Sequence, residues 1–304
     1  MAVAHLQPKE YVRTVVPDSV TYSQSEALEY TRWLATHHYE NFHVVSFLLP
    51  KDLHQDFYNV YSYCRWADDL GDEIGEREES LRLLSWWRDE LHQMYRGEAS
   101  HPVFLALKDT VARYDIPIEP FERLIRAFEQ DQTITRYETF EDVFGYCENS
   151  ANPVGRLVLY LCGYRDAERQ QLSDYTCTAL QLANFWQDVT VDLLKDRIYL
   201  PLDLFHKYGY SESELRALRF TPAFRSVMVD AVQVAQDLFE KGLPLIYMLD
   251  RRLALDIELF SRGGTRILEK IRRQSYDVLK RRPYISKPER VGILLQCLPR
   301  LLPF

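Results

Sequence analysis

Asn184, Asp188 and Asp192 recur at four-residue intervals in LQLANFWQDVTVDLLKDRIYLP, residues 180–201. On an α-helix that spacing stacks three side chains on one stripe, each about 6 Å above the last. Far upstream, YSYCRWADDLGDE carries Asp68 and Asp72 at the same step. Like charges one turn apart weaken a helix by a few tenths of a kcal/mol, so something must offset the repulsion at both places. Two facing acidic helices can do so by sharing divalent cations. Mg²⁺ suits the donors, because it takes octahedral oxygen ligands, keeps several waters, and binds through one or two carboxylates plus substrate phosphates. The pattern points to a Mg²⁺–diphosphate cluster at the mouth of a bundle cavity, where the metal neutralises a leaving diphosphate and lets a C–O bond ionise. Asn184 adds a neutral oxygen ligand. Arg65, three residues before Asp68, and Arg197, beyond the second stripe, are spaced to contact phosphate oxygens.

A lone i, i+4 carboxylate pair is most often a solvated helix face. Here both pairs sit in apolar contexts, YCRWADDLGD and LANFWQDVTVD, which sets a functional role level with the solvated-face reading. A di-iron carboxylate centre would need two Glu-x-x-His motifs and two further Glu. The chain offers Glu40 with His43, and its other such pair, Glu98 with His101, lies between Gly97 and Pro102, turn residues rather than a helix interior; His37, His38 and His43 read as packing or surface residues.

The elements that must position these groups read as helix after helix. Residues 1–20 look like a loose leader. Ser23 and Ser25 are N-cap candidates for SEALEYTRWLATHHY, and Pro50 breaks the next segment before a helix from about 52 to 74. Further helices are expected at about 77–97 and 101–114, then from Pro120, a good first-turn residue. Thr139 opens FEDVFGYCENSANPVGRLVLYLCGY, where Pro153 should kink or break the run. Helices at about 168–195, 221–248 and 252–281 precede a C-terminal one. With no alternating strand pattern, internal repeat or Gly/Ser/Pro linker, residues 21–304 read as one all-α domain.

Composition agrees. The chain has 304 residues, 46% hydrophobic and 27% charged, enough for a sizeable core. A net charge of −8 argues against nucleic acid as the main partner. The 20 Tyr and 15 Phe can line an apolar cavity or simply pack a core. Five cysteines without a CxxC pair suggest neither a disulfide framework nor zinc. No signal peptide or run of 18 uncharged apolar residues is present, so a cytoplasmic protein is expected. The ending RVGILLQCLPRLLPF, flanked by Arg290 and Arg300, reads as a last core helix, with peripheral contact at the inner membrane surface as the alternative.

DDLGD at 68–72, YCENSANPVG at 146–155 and QLANFWQDVTVDLLKDRIYLP at 181–201 together resemble the three main motifs of the squalene and phytoene synthase family. The similarity runs from YENFHVVSFLLP at 39–50 to GGTRILEKIRRQSYDVLKRRP at 263–283. The resemblance implies an all-α, single-domain isoprenoid synthase-type bundle with a central cavity. By motif position Asp68, Asp72, Asp188 and Asp192 would serve Mg²⁺, with Asn184 assisting. Arg65 would hold diphosphate, and Tyr146 takes the place of a tyrosine often given a catalytic role. ENFHVVSFLLP and NSANPVG look most like the hopanoid-associated hydroxysqualene synthase branch. Its members ionise presqualene diphosphate, rearrange the cation and capture it with water, so no NADPH is expected. Gln187 stands where many members have Arg before the second-motif aspartate, altering one contact to diphosphate or cation. Ser150 and Asn152 stand where squalene and phytoene synthases usually read V-A-G. Beside a cation they can position the attacking water, or satisfy backbone groups freed at a helix kink.

Three functions are compatible with these residues. The first is conversion of presqualene diphosphate to hydroxysqualene. The second is head-to-head condensation of two prenyl diphosphates to presqualene diphosphate, squalene or phytoene. The third is a catalytically silent helical binding or assembly factor, against which four intact aspartates speak. The expected partners are a prenyl diphosphate, a membrane surface for release of an apolar product, and other squalene-pathway enzymes.

Overall fold

The computed structural model describes residues 5–14, 21–37 and 50–297. Glu40, His38 and His43, the ENFHVVSFLLP segment to residue 49, and residues 298–304 of the apolar ending lie outside them.

The described residues form fourteen α-helices. They are α1 (Pro8–Thr14), α2 (Gln24–His37), α3 (His54–Asp72), α4 (Arg77–Arg96), α5 (Pro102–Tyr114), α6 (Glu119–Asp131), α7 (Phe140–Ser150) and α8 (Asn152–Leu161). Then come α9 (Ala167–Leu194), α10 (Leu202–Tyr208), α11 (Glu212–Arg216), α12 (Pro222–Gly242), α13 (Arg251–Arg273) and α14 (Lys287–Cys297). Among the described residues extended pairing is limited to one isolated parallel bridge, Arg136 with Ile198. The all-α expectation holds.

Local chemistry sets most boundaries. Ser23 and Glu26 cap each other's backbone at the start of α2, and Thr139 with Asp142 forms a capping box on α7. Gly97 ends α4 at φ 96°, a value that glycine adopts without strain. Pro120 sits in the first turn of α6. At Ala151 the chain leaves α7 and restarts as α8 with Pro153 in its first turn, so the expected break is a clean one.

Three boundaries differ from the sequence reading. Within the stretch read as a loose leader, α1 buries Tyr11 edge-on against Trp66. The helix expected at 221–248 tightens into a 3₁₀ turn at Leu243–Tyr247, where Pro244 cannot donate the bond that would continue it. The helix expected to reach 281 stops at Arg273, and Ser275 and Tyr276 take positive φ. Neither is glycine, so the stop carries no composition signal.

The chain divides into two compact units, residues 1–133 with 156–165 and residues 134–155 with 166–304. In the first, α3 is the buried hub. Asn59 accepts from Thr31 on α2 at 2.7 Å and donates to Ala106 and Thr110 on α5 at 3.0 Å each. Around this polar spine pack Tyr63, Trp66, Trp87, Phe104 and Phe121, all fully buried. In the second unit, α9 is the hub, packed against α12, α13 and α7. Gly264 of α13 allows close approach: a Cβ there would lie 2.3 Å from Phe239 Cζ. The Trp186 indole donates to the Ala231 carbonyl at 3.0 Å and fixes α9 against α12.

Candidate active site

The first acidic pair lies near the C-terminal end of α3. Because α3 buries Trp66, Ala67 and Leu70, its period turns Asp68 to a half-buried position and Asp72 to an exposed one. Arg65 lies on the same face, 3.4 Å from Asp68 and 2.5 Å from Asp69. Asp69, the second letter of the DDLGD motif, is buried. Desolvation raises its carboxyl to about 6, against the pull of the Arg65 guanidinium. Arg65 is thus shared between an inner carboxylate and an outer one. Sequence spacing singled out Asp68 and overlooked Asp69, although i, i+4 from Arg65 was visible.

The second stripe is not the single straight row its spacing implies. Asp188 has φ −105° and ψ 15°, outside helical values, so α9 is two helical segments joined there. The β-branched run Val189–Val191 follows directly, and such residues lose rotamer freedom in a helix. Asn184, exposed, precedes the break, and half-buried Asp192 follows it. Asp188 itself is ion-paired with Arg282, which stands in the loop after α13. No motif spacing marked Arg282; it enters the site because α13 ends early. The Gln187 amide donates to the Pro283 carbonyl at 2.7 Å, so its contact here is with backbone.

Beyond α9 the chain turns through Asp196, at φ 58°, which is clasped by Arg136 and Arg216. Those two guanidinium groups hold its carboxyl down at about 2. The clasp orients the strand-like segment that follows. Arg197 and Asp192 line one small recess, floored by Phe185 and Tyr199. Phe185 and Tyr199 stack with ring centroids 3.7 Å apart, and Tyr146 meets Tyr199 at 5.7 Å and Phe185 at 6.0 Å. Tyr137 completes this buried aromatic group. Tyr146 is therefore set among ring faces on the α9 side of α7.

The two polar residues of the NSANPVG motif have local partners. Ser150 donates to the Tyr146 carbonyl at 3.0 Å, and the buried Asn152 side chain accepts from the Thr178 hydroxyl at 2.9 Å. Gly155 ends the motif where α8 meets α9; a Cβ there would lie 2.4 Å from Ser173 Oγ.

The donors suit Mg²⁺. Asp68 and Asp72 on α3, and separately Asn184 and Asp192 on α9, offer the hard oxygens this ion prefers, each at a half-buried or exposed position. Among the described residues no three acidic, His or Cys side chains converge as an all-protein metal cage. His37, read as a packing or surface residue, stacks on Trp33 and bonds its carbonyl at 3.0 Å.

The squalene/phytoene synthase profile matches residues 35–289. The crystal structure of squalene synthase HpnC from Alicyclobacillus acidocaldarius superposes with a TM-score of 0.79 at 44% identity, covering 83% of this chain and 95% of that one. Phytoene synthase of Thermus thermophilus is 33% identical over 84% of this chain and 87% of its own length. Presqualene diphosphate synthase of Rhodopseudomonas palustris is 28% identical over 84% of this chain and 92% of its own. No helix among the described residues is long and apolar enough to cross a membrane.

Proposed function

Because the chain belongs to the squalene/phytoene synthase family, we propose that it converts presqualene diphosphate to hydroxysqualene by ionisation, rearrangement and capture of water, with Mg²⁺ and without NADPH. The fold is all-α, of isoprenoid synthase type, and the family consists of synthases that process prenyl diphosphates. The observation that carries the squalene assignment is the 44% identity with squalene synthase HpnC across most of both chains. The resemblance of NSANPVG to the hydroxysqualene branch supports the finer step.

In this reading Asp68 and Asp72 would serve as Mg²⁺ ligands, as would Asp188, Asp192 and Asn184. Bound there, Mg²⁺ supplies positive charge to a departing diphosphate. Arg65, kept on its face by Asp69, retains donors for a diphosphate oxygen because a guanidinium carries five N–H groups. Arg197 supplies a second such contact. The faces of Tyr146, Phe185, Tyr199 and Tyr137 carry partial negative charge and shield a substrate cation from premature quenching. Ser150 and Asn152 direct the water, and Gln187 stands by the second carboxylate pair. The attacking water forms the new C–O bond and gives up a proton as the alcohol forms.

Condensation of two prenyl diphosphates is the second reading, favoured by the phytoene synthase and presqualene diphosphate synthase matches. An apolar product also motivates peripheral contact with the inner membrane surface and with other squalene-pathway enzymes. Exposed Val291 and Leu295 on α14, beside Lys287 and Arg290, support such contact. Supplying farnesyl, geranylgeranyl and presqualene diphosphates separately, with products identified by mass spectrometry, distinguishes these readings. Hydroxysqualene from presqualene diphosphate alone supports the first; condensation products only, the second.

A further inference from the structure

Arg282 stands in the loop that opens because α13 stops at Arg273. Its guanidinium grips Asp188 at two points, Nε to Oδ1 and a terminal nitrogen to Oδ2 at 3.1 Å. The backbone on both sides of it is fixed. The Gln274 amide donates to the Arg281 carbonyl at 3.2 Å, and the Gln187 amide donates to the Pro283 carbonyl at 2.7 Å. Pro283 is buried, its ring sets its own φ, and it confines Arg282 to extended conformations. The Arg282 side chain is 47% exposed while that of Asp188 is 14% exposed, so the cation covers the solvent side of the carboxylate.

We propose that Arg282 is the resident counter-ion of the second acidic stripe and that it changes partner when ligand arrives, passing from Asp188 to an oxygen of the diphosphate. Gln187 is the positioning residue that holds the Arg282 backbone within reach of both. The inference rests on the reading of Asp188 as a Mg²⁺–diphosphate ligand and deepens it. The chemistry favours an exchange. A carboxylate already gripped at both oxygens by a guanidinium has fewer lone pairs for a metal ion, whereas a planar guanidinium matches phosphate oxygens as well as it matches carboxylate. The side chain therefore tempers Mg²⁺ binding when diphosphate is absent and adds a contact when diphosphate is present. It also supplies a cation where Gln187 itself supplies none.

This leaves a two-sided signature that a merely structural arginine cannot produce. Calorimetric titration of the full chain with MgCl₂ alone, then with inorganic diphosphate at saturating Mg²⁺, reads both sides. For Arg282→Gln we expect Mg²⁺ alone to bind several-fold more tightly and diphosphate to bind about tenfold or more weakly, the scale of a lost hydrogen bond to a charged group. Arg282→Lys, which keeps charge but loses the fork, should fall between wild type and Arg282→Gln in diphosphate affinity. Gln187→Leu, which keeps the Arg282 side chain but releases the backbone beside it, should also weaken diphosphate binding, and unchanged diphosphate affinity there would contradict the positioning role. Melting curves establish that each variant folds. Mg²⁺ and diphosphate weakened together in Arg282→Gln would mean a structural role and overturn the proposal. Unchanged Mg²⁺ affinity would overturn the exchange, and unchanged diphosphate affinity would reduce Arg282 to a surface ion pair. A wild-type chain that binds no diphosphate with Mg²⁺ present would instead overturn the underlying reading of Asp188.

Discussion

The Arg65 guanidinium lies 2.5 Å from the buried Asp69 carboxylate and 3.4 Å from half-buried Asp68, on the same helical face. Neighbouring aspartates of one motif thus have different work: Asp69 holds the arginine, and Asp68 is turned outward.

Their substitutions should separate accordingly. Asp69→Asn leaves Arg65 without its inner counter-charge, and breaking a buried pair costs about 3–5 kcal/mol when burial is complete. Its melting temperature should drop by several degrees. Asp68→Asn should melt near wild type yet lose about a hundredfold or more in turnover, the scale of one lost electrostatic stabiliser. Equal stability losses in the two variants would contradict the division of labour.

Acid sensitivity should come in part from His101. It is buried among Trp66, Trp86 and Trp87, its Nδ1 accepts from the Val103 amide at 3.3 Å, and desolvation pushes its pKa down to about 3. The unfolded side chain takes a proton near pH 6.5, the folded one only near 3, so the unfolded state binds more protons between them. Stability is therefore full above about pH 6.5 and falls as pH drops towards 3, by about 1.4 kcal/mol per unit for this one group. His101→Asn keeps a cap acceptor and adds a pH-independent cost. Melting curves at stepped pH should show the wild type losing more than the variant on acidification; parallel curves would contradict this assignment.

The contact of α13 with α9 and α12 depends on Gly264. An added Cβ would lie 2.3 Å from Phe239 Cζ and 3.0 Å from Leu180 Cδ2. Gly264→Ala should cost about 1–3 kcal/mol, the usual range for overpacking. Adding Phe239→Leu should recover part of it, because it removes the atom in the way. A melting temperature unchanged by Gly264→Ala, or unimproved by the second change, would show that the helices have slack there.

Tyr146→Phe keeps the ring against Phe185 and Tyr199 and removes only the hydroxyl. Slower turnover or a shifted product ratio is expected, with melting within about a degree of wild type because the ring carries the packing. Wild-type rate and products would leave the hydroxyl without a catalytic part.

The sequence was most legible where local chemistry and periodicity agreed. Ser23, Thr139 and Gly97 set helix ends through caps and glycine geometry that residue type alone announces. Asp68 and Asp72 were legible for the same reason, since a fixed spacing on a regular helix fixes the face. Legibility failed where geometry departed from the ideal. The break at Asp188 divides a stripe that its spacing presented as straight. The early end of α13 relies on positive φ at Ser275 and Tyr276, which nothing in their types announces, and so Arg282 entered the site unmarked. Asp69 carries no such mark, because a buried carboxylate looks unfavourable until its arginine is seen beside it.

The central claim is that water, not hydride, ends the reaction. Incubation of the enzyme with presqualene diphosphate and Mg²⁺ in H₂¹⁸O, without NADPH, tests it most directly. The account predicts hydroxysqualene carrying the heavy oxygen, detected by mass spectrometry. Unlabelled alcohol, or squalene formed only once NADPH is added, would contradict it.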